Sequence, residues 1–319
     1  MASEYIDPEQ RRAIRGERQR PLWRAEWPTW LLIAVIHGGW GATLVFWRTL
    51  GTLPATLLMI WWCAWYMSLQ HELIHGHPTR WPAVNRLFGT LPLAVWYPYR
   101  LYRDSHLRHH VDFHLTLPAL DTESSYVSPA EWAGMGRAMR ALLWLNKTFW
   151  GRMLVGPAIA IGGAWRDAIR EPLRGDWRYA GMWLRHLGLL AGLLWTVDAV
   201  AGVSPIRYLL AIAYPAQSLA MVRSFYEHRP AEDHKQRVVL NEAGPVFRLL
   251  FLNNNYHLVH HELPSLPWYL LPRVYRAWRD DYIARSGGFH VRGYGELARR
   301  HGWRPVDAPV HPHMEEPLR

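Results

Sequence analysis

Thiols are almost missing from this 319-residue chain, in which Cys63 is the single cysteine. That excludes a disulfide framework and any cysteine-ligated zinc or iron–sulfur centre. No cleavable leader is expected, because the first 27 residues mix charges without an apolar core. No internal repeat of solenoid period is visible, although two helical hairpins could form a pseudo-repeat. What the chain has in quantity is tryptophan (20), histidine (18) and positive charge (formally +10). Tryptophan collects where membrane meets water. With 19% charged residues and 50% hydrophobic ones, the apolar residues must be segregated into segments, so an integral membrane protein with a large polar portion is expected.

Apolar runs cover residues 28–50, 53–70, 184–203 and 205–222, each close to the roughly 20 residues that one crossing needs. The connections inside the two pairs carry one arginine each, Arg48 and Arg207. The arm before the first run carries six: Arg11, Arg12, Arg15, Arg18, Arg20 and Arg24. The positive-inside rule then places both termini in the cytoplasm, at the inner membrane if the source is bacterial. Two weaker runs, Ala83–Leu101 and Met153–Trp165, are broken by Pro92, Pro98 and Gly156-Pro157 and read as interfacial or buried helices. The expected fold is all-α: four transmembrane helices in two hairpins, with a cytoplasmic helical cap. Its parts are an N-terminal arm (1–27), one membrane domain (28–304) and a loose Pro- and charge-rich tail (305–319). Helical segments are expected near Val246–Leu252 and Arg273–Arg285.

Eight histidines fall into three clusters: His71 and His75; His106, His109 and His110; His257, His260 and His261. Positions i, i+3 and i+4 share one helix face, so each cluster can aim its imidazoles at one point. Eight ligands are too many for one tetrahedral zinc and suit two metal ions in a histidine cage. If all three clusters serve one centre they lie on one side of the membrane, so the crossings between them are even in number. A ninth candidate, His228, sits just past the fourth apolar run as His71 sits at the end of the second. His77 extends the first cluster off its helical face, and His114 follows His110 by four residues where Asp112-Phe113 and Leu115-Thr116-Leu117-Pro118 suggest that the helix ends, so neither is among the expected ligands. His37 and His186 read as hydrogen-bonded core histidines. His234, His290, His301, His311 and His313 read as surface residues.

Carboxylates beside the clusters can accept the far N–H of a ligating imidazole and fix its tautomer. Glu72, Glu227 and Glu262 are the candidates for that role, with Asp104 and Asp112 as further neighbours. Asp121 and Glu123 either join them or close a loop. Asn254 or Asn255 can hold a ligand or a metal-bound water, or simply cap the loop.

Imidazole-rich sites suit iron among redox metals, and no thiolate diverts the choice. The order and spacing His71-x-x-x-His75, His106-x-x-His109-His110 and His257-x-x-His260-His261 resembles the membrane fatty-acid desaturase superfamily. The sequel Asn255-Tyr256-His257-Leu258-Val259-His260-His261-Glu262-Leu263-Pro264 is similar to bacterial members. The likeness runs from about Trp30 to Tyr282. It implies two iron ions (Fe2+/Fe3+) held by His71, His75, His106, His109, His110, His257, His260 and His261. His228 matches the family's extra histidine between the second and third clusters. Ser224 stands where some members carry a water-linked Asn one turn earlier. The implied activity is dioxygen-dependent desaturation of an acyl or other lipid-like chain at the cytoplasmic face. Hydroxylation or ketolation of a lipid or isoprenoid is the alternative on the same scaffold. A non-catalytic membrane metal-binding or transport protein is the rival of another class, although transport would place ionisable groups mid-span. Too few cysteines for rubredoxin or ferredoxin, and no cytochrome b5-like haem motif, imply an external ferredoxin- or flavoprotein-type donor. The basic surface suits an acidic partner or anionic membrane lipid, and no nucleic-acid partner is expected.

Overall fold

The structure, a computed structural model, describes residues 4–314, and the side chain of Asp112 lies outside the described residues. Helix α1 (Pro8–Gln19) starts where the Asp7 carboxylate accepts the Gln10 N–H and Pro8 presets the first turn. Then come α2 (Trp27–Val45), α3 (Thr52–Ile74), α4 (Tyr99–His109), α5 (Phe149–Leu173), α6 (Ala180–Ala201), α7 (Tyr214–Arg223) and α8 (His257–Glu262), with shorter helices between them. Among the described residues, regular strand is limited to β1 (Leu240–Asn241) and β2 (His290–Val291). They pair in parallel with Leu240 opposite His290.

The chain divides into two compact units, one formed by residues 25–103 and 157–220, the other by 1–24, 104–156 and 221–319. Among the described residues, three helices are long and apolar enough to cross a membrane, and the first unit contains them: α2, α3 and α6. Gly51, at φ 79°, turns the chain into α3, a conformation that glycine adopts at no steric cost. The α3 helix runs four residues past the end expected from its apolar run, so His71 lies in its last turn and His75 is its C-cap. The run 205–222 differs from a plain helix. It is built as Pro205–Tyr208, a π segment at Leu209–Ala213, and α7. A π turn widens the helix and breaks the 3.6-residue period, and this run is not among the three. The weak run after Ala83 folds as Pro82–Gly89 and the short turn Pro92–Ala94. The other lies inside the 25-residue α5, whose uncharged stretch between Arg152 and Arg166 is shorter than a bilayer crossing requires.

The second unit has an apolar core of Ile14, Leu115, Leu240, Tyr256, Leu258, Val259, Tyr275 and Tyr282 with their neighbours. Leu258 and Val259 turn α8 toward that core, so its three histidines share the opposite face. The tail is better held than its composition suggests. Val306 N–H donates to Lys147 O (2.9 Å), Val127 N–H to Pro309 O (3.0 Å) and His311 N–H to Val127 O (3.0 Å). His311, expected at the surface, is buried. Its ring nitrogen bonds the Thr116 hydroxyl, a partner 195 residues away in sequence that no local pattern reveals. His313 is exposed as expected, and residues 315–319 lie outside the described residues.

Candidate metal centre

Within the second unit three chain segments bring seven histidines together. His106 and His109 end α4 and His110 follows it. His228 stands after a backbone reversal at Tyr226 (φ 58°). His257, His260 and His261 lie on α8, reached through Leu252 (φ 49°) and Asn253 (φ 58°). A left-handed conformation at a non-glycine residue costs about 1–3 kcal/mol and persists where the surroundings over-determine it. Here they do. Asn253 Nδ2 donates to Trp268 O (3.1 Å), Asn255 Nδ2 to Asn241 O (2.6 Å), and Leu258 N–H to Val239 O (3.1 Å). Asn255 is thus a loop anchor.

The imidazole nitrogens of His109, His228, His257 and His261 all lie within 4.8 Å of one another. His228 Nε2 is 3.1 Å from Nε2 of His109 and 3.1 Å from that of His257, which is 3.2 Å from His261 Nε2. A trio lies alongside: His110 Nε2 is 3.1 Å from His106 Nε2 and 3.0 Å from His260 Nε2. Nitrogens about 2.1 Å from one cation, at right angles to each other, would be about 3.0 Å apart. The spacing therefore fits ligands around an ion.

The far ring nitrogens agree. His109 Nδ1 faces Asp121 Oδ1 at 2.7 Å, His106 Nδ1 faces Glu123 Oε1 at 3.1 Å, and His257 Nδ1 faces Asn254 Oδ1 at 3.2 Å. Each oxygen accepts an N–H, which leaves the Nε2 lone pair pointing inward on the neutral ring. Glu227 Oε1 is 3.5 Å from His257 Nδ1 and takes a 2.8 Å bond from Arg223. Burial and neighbouring histidines lower the pKa values of His106, His257 and His261, and bring His228 to about 3. These rings are neutral at neutral pH, as ligands must be. At His109 burial opposes charge, but Glu123 and Asp121 outweigh it and raise the pKa to about 9. The carboxylates thus favour a positive charge at that ring, a place a metal cation can take from a proton. Glu227, pushed up to about 7 by burial and pulled back by Arg223, adds to the same acidic surroundings. The donor set fits a metal ion with imidazole preference.

The remaining candidates are placed as follows. His71 and His75 belong to the other unit, at the end of α3, with ring centroids 4.8 Å apart and Glu72 Oε1 3.5 Å from His71 Nδ1. His77 bonds Glu26 (2.8 Å). His37 bonds Ile33 O (2.8 Å) and His186 bonds Val95 O (2.7 Å), as hydrogen-bonded core histidines should. Glu262 pairs with Arg285, whose Nε donates at 3.0 Å. Asp104 lies half-buried in α4. Arg223 was not legible as part of the site, because a charge at a helix end ordinarily reads as solvated.

A family model described as fatty acid desaturase matches residues 47–293. A comparison with curated proteins finds no match.

Proposed function

Because this chain belongs to the fatty acid desaturase family, we propose that it is a membrane oxidoreductase that desaturates an acyl or similarly apolar chain with dioxygen. The observation that carries the reading is the convergence of seven histidines, six of them buried and His228 half-buried, with carboxylates behind them. His109, His228, His257 and His261 hold one iron. His106, His110 and His260 hold the other, with His71 and His75 completing it, an assignment that rests on their spacing and the family. When bound, such a pair of irons supplies the oxidising power to break an unactivated C–H bond. The chain's own part is positional: Asp121, Glu123 and Asn254 orient three rings, and burial excludes water.

The balance requires an external reductant. One dioxygen takes two hydrogens from the substrate and two electrons with two protons from the donor, leaving a double bond and two waters. One cysteine cannot ligate an iron–sulfur cluster, so the reading assigns the electrons to a ferredoxin- or flavoprotein-type carrier. The arginine-rich arm favours the cytoplasm for the N-terminus, the side on which such a donor is found.

Lipid and metabolite profiling of a host expressing the wild type against a His260→Ala variant tests this. The expected result is a lipid two hydrogens lighter with the wild type and absent with the variant. A product one oxygen heavier would replace desaturation by hydroxylation. Unchanged lipids together with readily exchanged zinc or copper would sink the oxidase reading in favour of a metal-binding protein.

A further inference from the structure

The loop that presents Asp121 and Glu123 is held from behind by the end of the chain. Thr116 adopts φ 70°, a left-handed conformation that a β-branched residue rarely accepts. Three bonds pin it. Its N–H donates to Asp121 Oδ2 (2.9 Å), its carbonyl accepts from Ser124 Oγ (2.7 Å), and its Oγ1 lies 3.0 Å from His311 Nε2. The other oxygen of Asp121 accepts from Glu123 N–H (2.9 Å) and faces His109 Nδ1. A chain of contacts therefore runs from His311 through Thr116 and Asp121 to a histidine of the metal centre.

The segment that carries His311 is itself fastened at its other end. Lys147 Nζ lies 3.0 Å from Asp307 Oδ1, 3.2 Å from Ser125 Oγ and 3.3 Å from the centre of the Tyr126 ring, and the Tyr126 hydroxyl bonds Asp307. Tyr126 and Val127 immediately follow the loop, and Val127 bonds both Pro309 and His311 through its backbone. Both ends of the strap 306–311 thus grip the same stretch of chain that carries the two carboxylates.

We propose that the C-terminal strap is a positioning element of the metal centre: His311 holds Thr116 in its strained conformation, and Thr116 fixes the Asp121 carboxylate against His109. His311 and Thr116 touch no ligand nitrogen and act through Asp121. This rests on the metal-centre reading above.

The test is cobalt(II) titration of the metal-free, full-length protein in lipid nanodiscs, read by visible absorbance, beside thermal unfolding of the same metal-free samples. His311→Leu removes both ring nitrogens; it should weaken cobalt binding about tenfold, the lower end of what outer partners of metal ligands contribute, and change the absorption band shape. His311→Gln retains a donor toward Thr116 and should restore wild-type affinity and spectrum. Thr116→Val, which loses only the hydroxyl, should weaken binding as His311→Leu does, and the double variant should be no worse than either. Should His311→Leu fail to fold, Thr116→Val decides alone. Wild-type affinity and band shape in His311→Leu or Thr116→Val, whatever the unfolding temperature, would overturn the proposal. Wild-type protein that takes up no cobalt would instead overturn the metal centre itself.

Discussion

His311 can serve its two partners in one protonation state. The His313 backbone N–H donates to its Nδ1 at 3.2 Å, so the ring proton sits on Nε2, toward Thr116. A second proton would set two donors against each other. Burial, with His313, Arg237 and Lys147 nearby, lowers its pKa from 6.5 to about 4 against the pull of Asp307. Between those values the unfolded chain binds more protons than the folded one, so stability rises with pH there. The contribution is complete above pH 6.5 and is lost as the pH falls toward 4. Hydrogen exchange of residues 306–313 should therefore quicken on going from neutral pH to about pH 5, after correction for intrinsic rates. His311→Gln, which does not titrate, should flatten the response; equal protection at the two pH values in the wild type would refute it. This residue also marks where sequence reading stops. The clustered histidines declare themselves because imidazoles at i, i+3 and i+4 share a face whatever the tertiary fold. Asp121 left two roles open and His311 read as a surface residue, because their partners lie 12 and 195 residues away and no local period connects them.

Two adjacent glycines in α2 separate helix propensity from packing. A Cβ on Gly39 would sit 2.5 Å from Cζ2 of Trp62 on α3, while one on Gly38 meets nothing within 4 Å. The Trp62 indole cannot simply swing aside, since its Nε1–H donates to Thr43 Oγ1 at 3.0 Å. Gly39→Ala should therefore destabilise by about 1–3 kcal/mol through overpacking, and Gly38→Ala should be neutral or stabilise by up to about 1 kcal/mol. A lower midpoint of thermal unfolding in detergent for Gly39→Ala, beside an equal or higher one for Gly38→Ala, is expected; an unchanged or raised midpoint for Gly39→Ala would mean that α2 and α3 do not pack this closely. At this scale legibility follows length. The helices α2, α3 and α6 were visible because an unbroken apolar run needs no partner to identify it. The π segment at Leu209–Ala213 was not, because composition carries no trace of an i→i+5 bond. Nor were β1 and β2, since two residues cannot display an alternation.

The two units draw stability from different sources, and that difference is testable in the intact protein. The unit with the apolar helices depends on α2, α3 and α6, whose internal hydrogen bonds satisfy the backbone without a ligand. The other unit buries six of its seven clustered histidines together with Asp121 and Glu227, a polar interior whose cost a cation between the rings would offset. Anything that binds the folded state alone stabilises it by RT ln(1 + [L]/Kd), about 2.7 kcal/mol per site at a hundredfold excess over Kd. Removal of metal by a chelator should therefore loosen residues 104–124, 226–241 and 253–262, while exchange in 53–70 and 184–200 stays as it was. Iron added back should restore protection in the first three segments. The reasoning is local: each loosened segment contributes a ligand or a carboxylate behind one, and neither span does so in its apolar stretch. If chelation loosens both sets equally, the metal is tied to global folding instead; if neither changes, the histidines hold no structural ion at all.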